Sequence, residues 1–118
     1  MRNNIEKGLL GEKIAQEYLK SKGYEIREIN YRTKIGEIDI IAEKLNMLIF
    51  VEVKTRTSTN YGFPYEAVNR RKFNKIMKCS LIYLKEKGLS NYQIRYDIIE
   101  VFLCDQTKIN HIENVFCT

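Results

Sequence analysis

The chain has 118 residues, 44% of them hydrophobic and 30% charged, with 20 lysines and arginines against 15 acidic residues. That length fits one domain, the composition excludes a disordered chain, and no apolar run approaches the ~20 residues of a membrane span. The first residues lack a cleavage-site pattern, so no signal peptide is expected, and Cys79, Cys104 and Cys117 are scattered without a CxxC pair. The expectation is therefore a reduced, cytoplasmic protein with neither a disulfide framework nor structural zinc, and no membrane partner.

Residues 4–22 read as a helix. Ile5, Leu9, Ala15 and Leu19 recur at helical spacing as one apolar stripe, Leu10, Ile14 and Tyr18 form a second row, and Gly23 ends the element. Residues 24–29 alternate loosely as a strand. Residues 38–42 and 47–53 are rich in β-branched residues and are joined by the short polar link 43–46, which predicts a hairpin. These strands are too apolar to keep one face wet, so helices are expected on both faces of the sheet. Residues 55–63 read as a polar loop, with Pro64 placed where a helix can begin. That helix is expected to run to about Lys87, packing Phe73, Ile76, Met77, Ser80 and Leu84, with Gly88 as its stop. A strand over 93–103 and a short one near 109–112 complete the order α-β-β-β-α-β-(β), an α/β domain with a central mixed sheet spanning residues 1–118.

Two stretches carry chemistry: Gly36-Glu37-Ile38-Asp39 and Val51-Glu52-Val53-Lys54. Residues i and i+2 of a strand share a face, so Glu52 and Lys54 point the same way. A hairpin centred between Leu45 and Asn46 sets Asp39 opposite Glu52. Two close carboxylates repel one another and favour a hard divalent cation such as Mg²⁺, which takes oxygen ligands and keeps waters or phosphate oxygens in its shell. A neighbouring lysine can position a water or stabilise charge on a phosphate. Glu12 interrupts the apolar stripe of the first helix, where an unpaired charge is costly. Each residue alone has a blander reading: Glu-x-Lys as a cross-strand ion pair, Asp39 as a surface residue near a turn, Glu12 at the stripe's edge and reaching water. Their co-occurrence is the signal.

The order helix-Glu, Gly-x-x-Asp, Glu-x-Lys resembles the PD-(D/E)xK nuclease superfamily with its restriction-endonuclease-like fold. Gly8-Leu9-Leu10-Gly11-Glu12, Asn30-Tyr31-Arg32, Gly36-Glu37-Ile38-Asp39-Ile40-Ile41-Ala42, Phe50-Val51-Glu52-Val53-Lys54-Thr55-Arg56, Arg95-Tyr96-Asp97 and His111-Ile112-Glu113-Asn114-Val115-Phe116 resemble the YraN-type family of predicted endonucleases, which is distantly similar to Holliday-junction resolvases. The resemblance implies a Mg²⁺- or Mn²⁺-dependent DNA endonuclease. Asp39 and Glu52 would be metal ligands, Lys54 the catalytic lysine, Glu12 the assisting helix glutamate and Glu37 a supporting group. The proline of the superfamily's name is absent, since Ile38 precedes Asp39. Analogy with resolvases makes a homodimer possible; Tyr65, Tyr83, Ile98 and Phe102 could supply its contacts, and core packing explains them equally well.

Charge placement agrees with a phosphate-bearing partner. From Lys54 to Lys78 there are seven basic residues and one acid, so the net excess of the whole chain falls within this stretch. Arg71, Lys75, Lys78 and Lys85 line one helical face, Lys72 lies between that face and the packed one and could look toward the site, and Arg32 and Arg56 flank the motifs. These residues are candidate contacts to a nucleic-acid backbone, and Tyr61 could stack on a base. A solvated helix face is the blander reading. Three functions stay open: a nuclease, a non-catalytic nucleic-acid-binding module of the same fold, and an interaction domain whose Glu–Lys cluster is structural. The single histidine, His111, makes nucleophile–histidine triads improbable and reads as a surface residue.

Overall fold

A computed structural model describes residues 3–57 and 70–115. The elements follow the expected order: α1 (Asn4–Ser21), β1 (Glu25–Arg32), β2 (Glu37–Lys44), β3 (Met47–Arg56), α2 (Arg70–Lys87), β4 (Gln93–Phe102) and β5 (Lys108–Ile112). Asn3 caps α1 by accepting the Glu6 amide at 2.8 Å, satisfying one of the orphan donors of the first turn. Gly23 at φ 90° and Gly88 at φ 65° follow the two helices, in a backbone region that costs glycine nothing. The calls on Tyr61, Pro64 and Tyr65 lie outside the described residues.

The sheet runs β1-β2-β3-β4-β5 and is mixed: β3 and β4 are parallel, and every other pair is antiparallel. The connection from β3 to its parallel neighbour passes through α2. The sheet has two covered faces. On one, Ala15 and Leu19 of α1 pack with Ile40, Ala42, Ile49, Val51, Val53, Ile99 and Val101. On the other, Ile76, Cys79 and Tyr83 of α2 pack with Ile41, Leu48, Phe50 and Ile98. Each large apolar side chain sealed this way contributes roughly 1.5–3 kcal/mol.

Several expectations are corrected. Ile5 is 76% and Leu9 60% exposed, so the first half of the expected stripe does not pack. The buried row of α1 is Gly11, Ala15 and Leu19. Gly11 explains the rotation: a Cβ there would stand 1.9 Å from Thr55 Oγ1, so the helix meets β3 through bare backbone. The strand β3 also runs further than expected, because Thr55 and Arg56 stay paired with Val101 and Phe102. On α2, Cys79 and Tyr83 join the packed face. Of the two readings open for Tyr83 and Ile98, dimer contact and core residue, burial decides for the core. No described helix is long and apolar enough to cross a membrane.

Candidate active site

β2 and β3 keep one register from Lys44↔Met47 to Ile40↔Val51, and one further step carries Asp39 to Glu52. The juxtaposition expected from the hairpin is thus present. At this point Asp39 Oδ2 accepts the Val53 amide at 2.8 Å, which fixes the carboxylate against the backbone of β3. Glu52 alternates with the buried Val51 and Val53 and turns toward α2. Its Oε1 meets Lys72 Nζ at 2.8 Å and Lys54 Nζ at 3.5 Å. Lys72, expected between the two helix faces and able to look toward the site, does so and belongs to the cluster itself.

Glu12 and Glu37 close the cluster through a residue to which the sequence assigned no role. Asn30 lies on β1 across from Asp39, between the pairs Ile29↔Ile40 and Tyr31↔Ile38. Its φ is 51°, a left-handed conformation that asparagine tolerates better than most residues. With the amide oriented to donate, its nitrogen lies 3.0 Å from Glu12 Oε1 and 3.2 Å from Glu37 Oε1. One kinked asparagine so ties a helix carboxylate to a strand carboxylate. No periodicity marks a single left-handed residue inside a strand.

The electrostatics follow from four carboxylates at one sheet end. Burial, the Glu52 charge and, more weakly, the Glu12 and Glu37 charges push Asp39 up to about 7, against the lowering effect of the Val53 amide. Glu12 is also raised, first by burial, then by Glu37 and Glu52, with the Asn30 hydrogen bond opposing. Lys54 is lowered by burial and by the neighbouring Lys72 ammonium, with Glu52 opposing. Lys72 is raised: its contacts with Glu52 and Lys54 outweigh the effect of burial. The two lysines compete for one carboxylate, and the nearer one holds the proton more firmly.

The remaining candidates surround this cluster. Gly36, Glu37, Asp39, Glu52, Lys72 and Lys75 line an opening of about 270 Å³ on the α2 side. Arg71, Lys75 and Lys78 are exposed along α2. Arg32 donates from Nε to Glu37 at 3.1 Å, and Arg56 from Nε to the buried Glu100 at 3.2 Å. Among the described residues, no three acidic, histidine or cysteine side chains converge closely enough to enclose an ion. The donor set around Asp39 and Glu52 is nonetheless all oxygen, and Mg²⁺ characteristically takes one or two carboxylates and completes its shell with water or phosphate. A cation between them would also relieve the repulsion that raises Asp39. The donor chemistry therefore fits a hard divalent ion held by Asp39 and Glu52.

His111 corrects the surface expectation. Its side chain is 8% exposed, with Nε2 at 2.7 Å from Asp97 Oδ2 and Nδ1 at 3.0 Å from the Tyr18 hydroxyl. Asp97 is fully buried and also accepts Arg95 Nη2 at 2.8 Å and the Asn114 amide at 2.9 Å. Burial alone would raise Asp97, but these donors outweigh it and hold the carboxyl below its usual range. This network pins β5 and the segment after it against α1 and β4. It satisfies a buried charge and leaves no carboxylate oxygen for other chemistry.

Fold and site together define an α/β domain with a mixed five-stranded sheet and an acidic–lysine cluster where β2 begins and β3 nears its end. The chain belongs to the uncharacterised protein family UPF0102, whose model matches residues 11–101. A UPF0102 protein of Caldanaerobacter subterraneus subsp. tengcongensis is 51% identical over 113 residues, covering 92% of this chain and 93% of that one. One of Clostridioides difficile is 51% identical over 114 residues, covering 97% and 99%. One of Dictyoglomus turgidum is 44% identical over 117 residues, covering 97% and 99%.

Proposed function

We propose that the protein is a divalent-metal-dependent endonuclease that hydrolyses phosphodiester bonds in DNA, with branched or distorted duplexes as the favoured substrates, and that its domain is restriction-endonuclease-like. The observation that carries this reading is the convergence of Asp39, Glu52, Lys54 and Glu12, two of them brought together by hairpin register and one by an opposing helix. A cluster of like charges costs stability unless something uses it.

Asp39 and Glu52 would hold Mg²⁺ or Mn²⁺, which supplies charge stabilisation at the phosphate and a more acidic water. Lys54, whose proton is held less firmly than an ordinary lysine's, orients the attacking water and takes up its proton or stabilises charge at the phosphate. Lys72 shares Glu52 with Lys54 and steadies the carboxylate. Asn30 keeps Glu12 and Glu37 directed inward. Arg71, Lys75 and Lys78 attract the backbone along α2, a contact that reads charge and shape rather than base sequence.

The test is cleavage of labelled single-stranded, duplex, flap and four-way-junction DNA in Mg²⁺, in Mn²⁺ and in chelator. Metal-dependent cleavage strongest on the branched substrates is expected. No metal-dependent cleavage of any substrate, with DNA binding retained, would replace the enzyme with a binding module.

A further inference from the structure

A cleft of about 300 Å³ opens on the other side of the cluster, between the first half of α1 and the end of β3. Asn4, Lys7, Gly8 and Glu12 form its helical wall; their spacing of three and four residues places them on one face. Lys54, Arg56 and Thr57 belong to the opposite wall. Lys7, Lys54 and Arg56 line it with one acid, Glu12, which is already part of the carboxylate cluster, and Lys54 is also shared with Glu52. Arg56 is steadied at the cleft by Glu100.

Gly8 is the informative residue. Glycine inside a helix weakens it, so its presence needs a reason. Gly11 has one in the close approach of Thr55, but a Cβ on Gly8 would meet nothing within 4 Å among the described residues. Packing among the described residues does not account for Gly8. Bare helix backbone on the wall of a basic cleft suits the close approach of a ligand.

We infer that this cleft holds the sugar-phosphate backbone of the substrate strand on the side of the cluster away from α2. The inference rests on the nucleic-acid reading above and adds a path to it. The strand passes from the basic face of α2, over Asp39 and Glu52, into the cleft against Lys7, Gly8 and Arg56. Contacts on both sides of the reacting phosphate would hold it over the cluster.

The test is fluorescence anisotropy with a labelled DNA single strand and the matching duplex, across a salt series, in chelator and again in Ca²⁺. Lys7→Gln is expected to weaken binding severalfold and to reduce the salt slope by about one. Gly8→Gln is expected to raise Tm, because it replaces an interior helix glycine, and yet to weaken binding severalfold at an unchanged salt slope. Wild-type affinity in both variants, with Lys78→Gln weakened, would overturn the cleft and leave the nucleic-acid reading standing. Wild-type protein that binds neither DNA in either condition would overturn both.

Discussion

Replacing Asp39 by asparagine should stabilise the folded protein. The asparagine oxygen can still accept the Val53 amide that Asp39 accepts at 2.8 Å, so the change removes charge and little else. The raised folded-state value of about 7, against an ordinary 3.8, means that the native state binds this proton more tightly than the unfolded chain does. Stability therefore falls as pH rises from about 4 to 7, and the whole penalty is present above that. A difference of about three pKa units corresponds to a ceiling of about 4 kcal/mol. Asp39 is only half-buried, and water screening brings the expected gain of Asp39→Asn at pH 8 to about 2 kcal/mol. For a chain of this length that is on the order of 5–10 °C in Tm. The gain should shrink to nothing near pH 4, where native Asp39 is already neutral. Added Mg²⁺ or Mn²⁺ should raise the Tm of the wild type and leave the variant unmoved. Thermal melts at pH 4 and pH 8, with and without the cation, read all of this. A variant destabilised at pH 8, or a gain equal at both pH values, would refute the account of a repulsive cluster.

Two further substitutions test the supports of the site. Gly11→Ala places a methyl 1.9 Å from Thr55 Oγ1 and 3.0 Å from Thr55 Cβ, so it should cost about 1–3 kcal/mol in urea unfolding. Thr55→Ala added to it should restore part of the loss. Asp97→Asn breaks a buried charge that serves Arg95, His111 and the Asn114 amide at once, and should cost about 3–5 kcal/mol. Because Asp97 is depressed, its contribution is present above pH 4 and is lost as pH falls further; the variant's deficit should narrow in acid denaturation.

The residues at the heart of the site were legible because strand chemistry is local. Charged side chains in apolar strands stand out, and a hairpin's centre fixes which residues face each other, so Asp39 and Glu52 could be paired from the loop alone. The sheet's two covered faces were equally plain in the uninterrupted apolar runs of β2 and β3. What escaped depends on contacts between distant segments. The rotation of α1 that exposes Ile5 and Leu9 is set by Thr55 meeting Gly11, more than forty positions away in the chain. Spacing placed Lys72 between the basic and packed faces of α2, from where it could look toward the site, but its particular partner, Glu52, is set by how α2 packs on the sheet. The partnership of Asp97 and His111 requires β5 to lie beside β4, and sequence spacing says nothing about which strands become neighbours. Asn30 carries its information in one backbone angle, which no pattern of residue types reveals.

The most direct test of a metal-dependent nuclease centre is the single-turnover rate of cleavage of end-labelled DNA by wild-type protein and by Glu52→Gln, purified side by side. Both are measured in Mg²⁺ and in chelator, on the branched substrate and on its linear arms. Glu52→Gln keeps the side chain's shape while removing the charge that Lys54 and Lys72 share. The account predicts Mg²⁺-dependent cleavage by the wild type and a loss of about a hundredfold or more in the folded variant. Cleavage at equal rates by both proteins, or activity that persists in chelator, would contradict it.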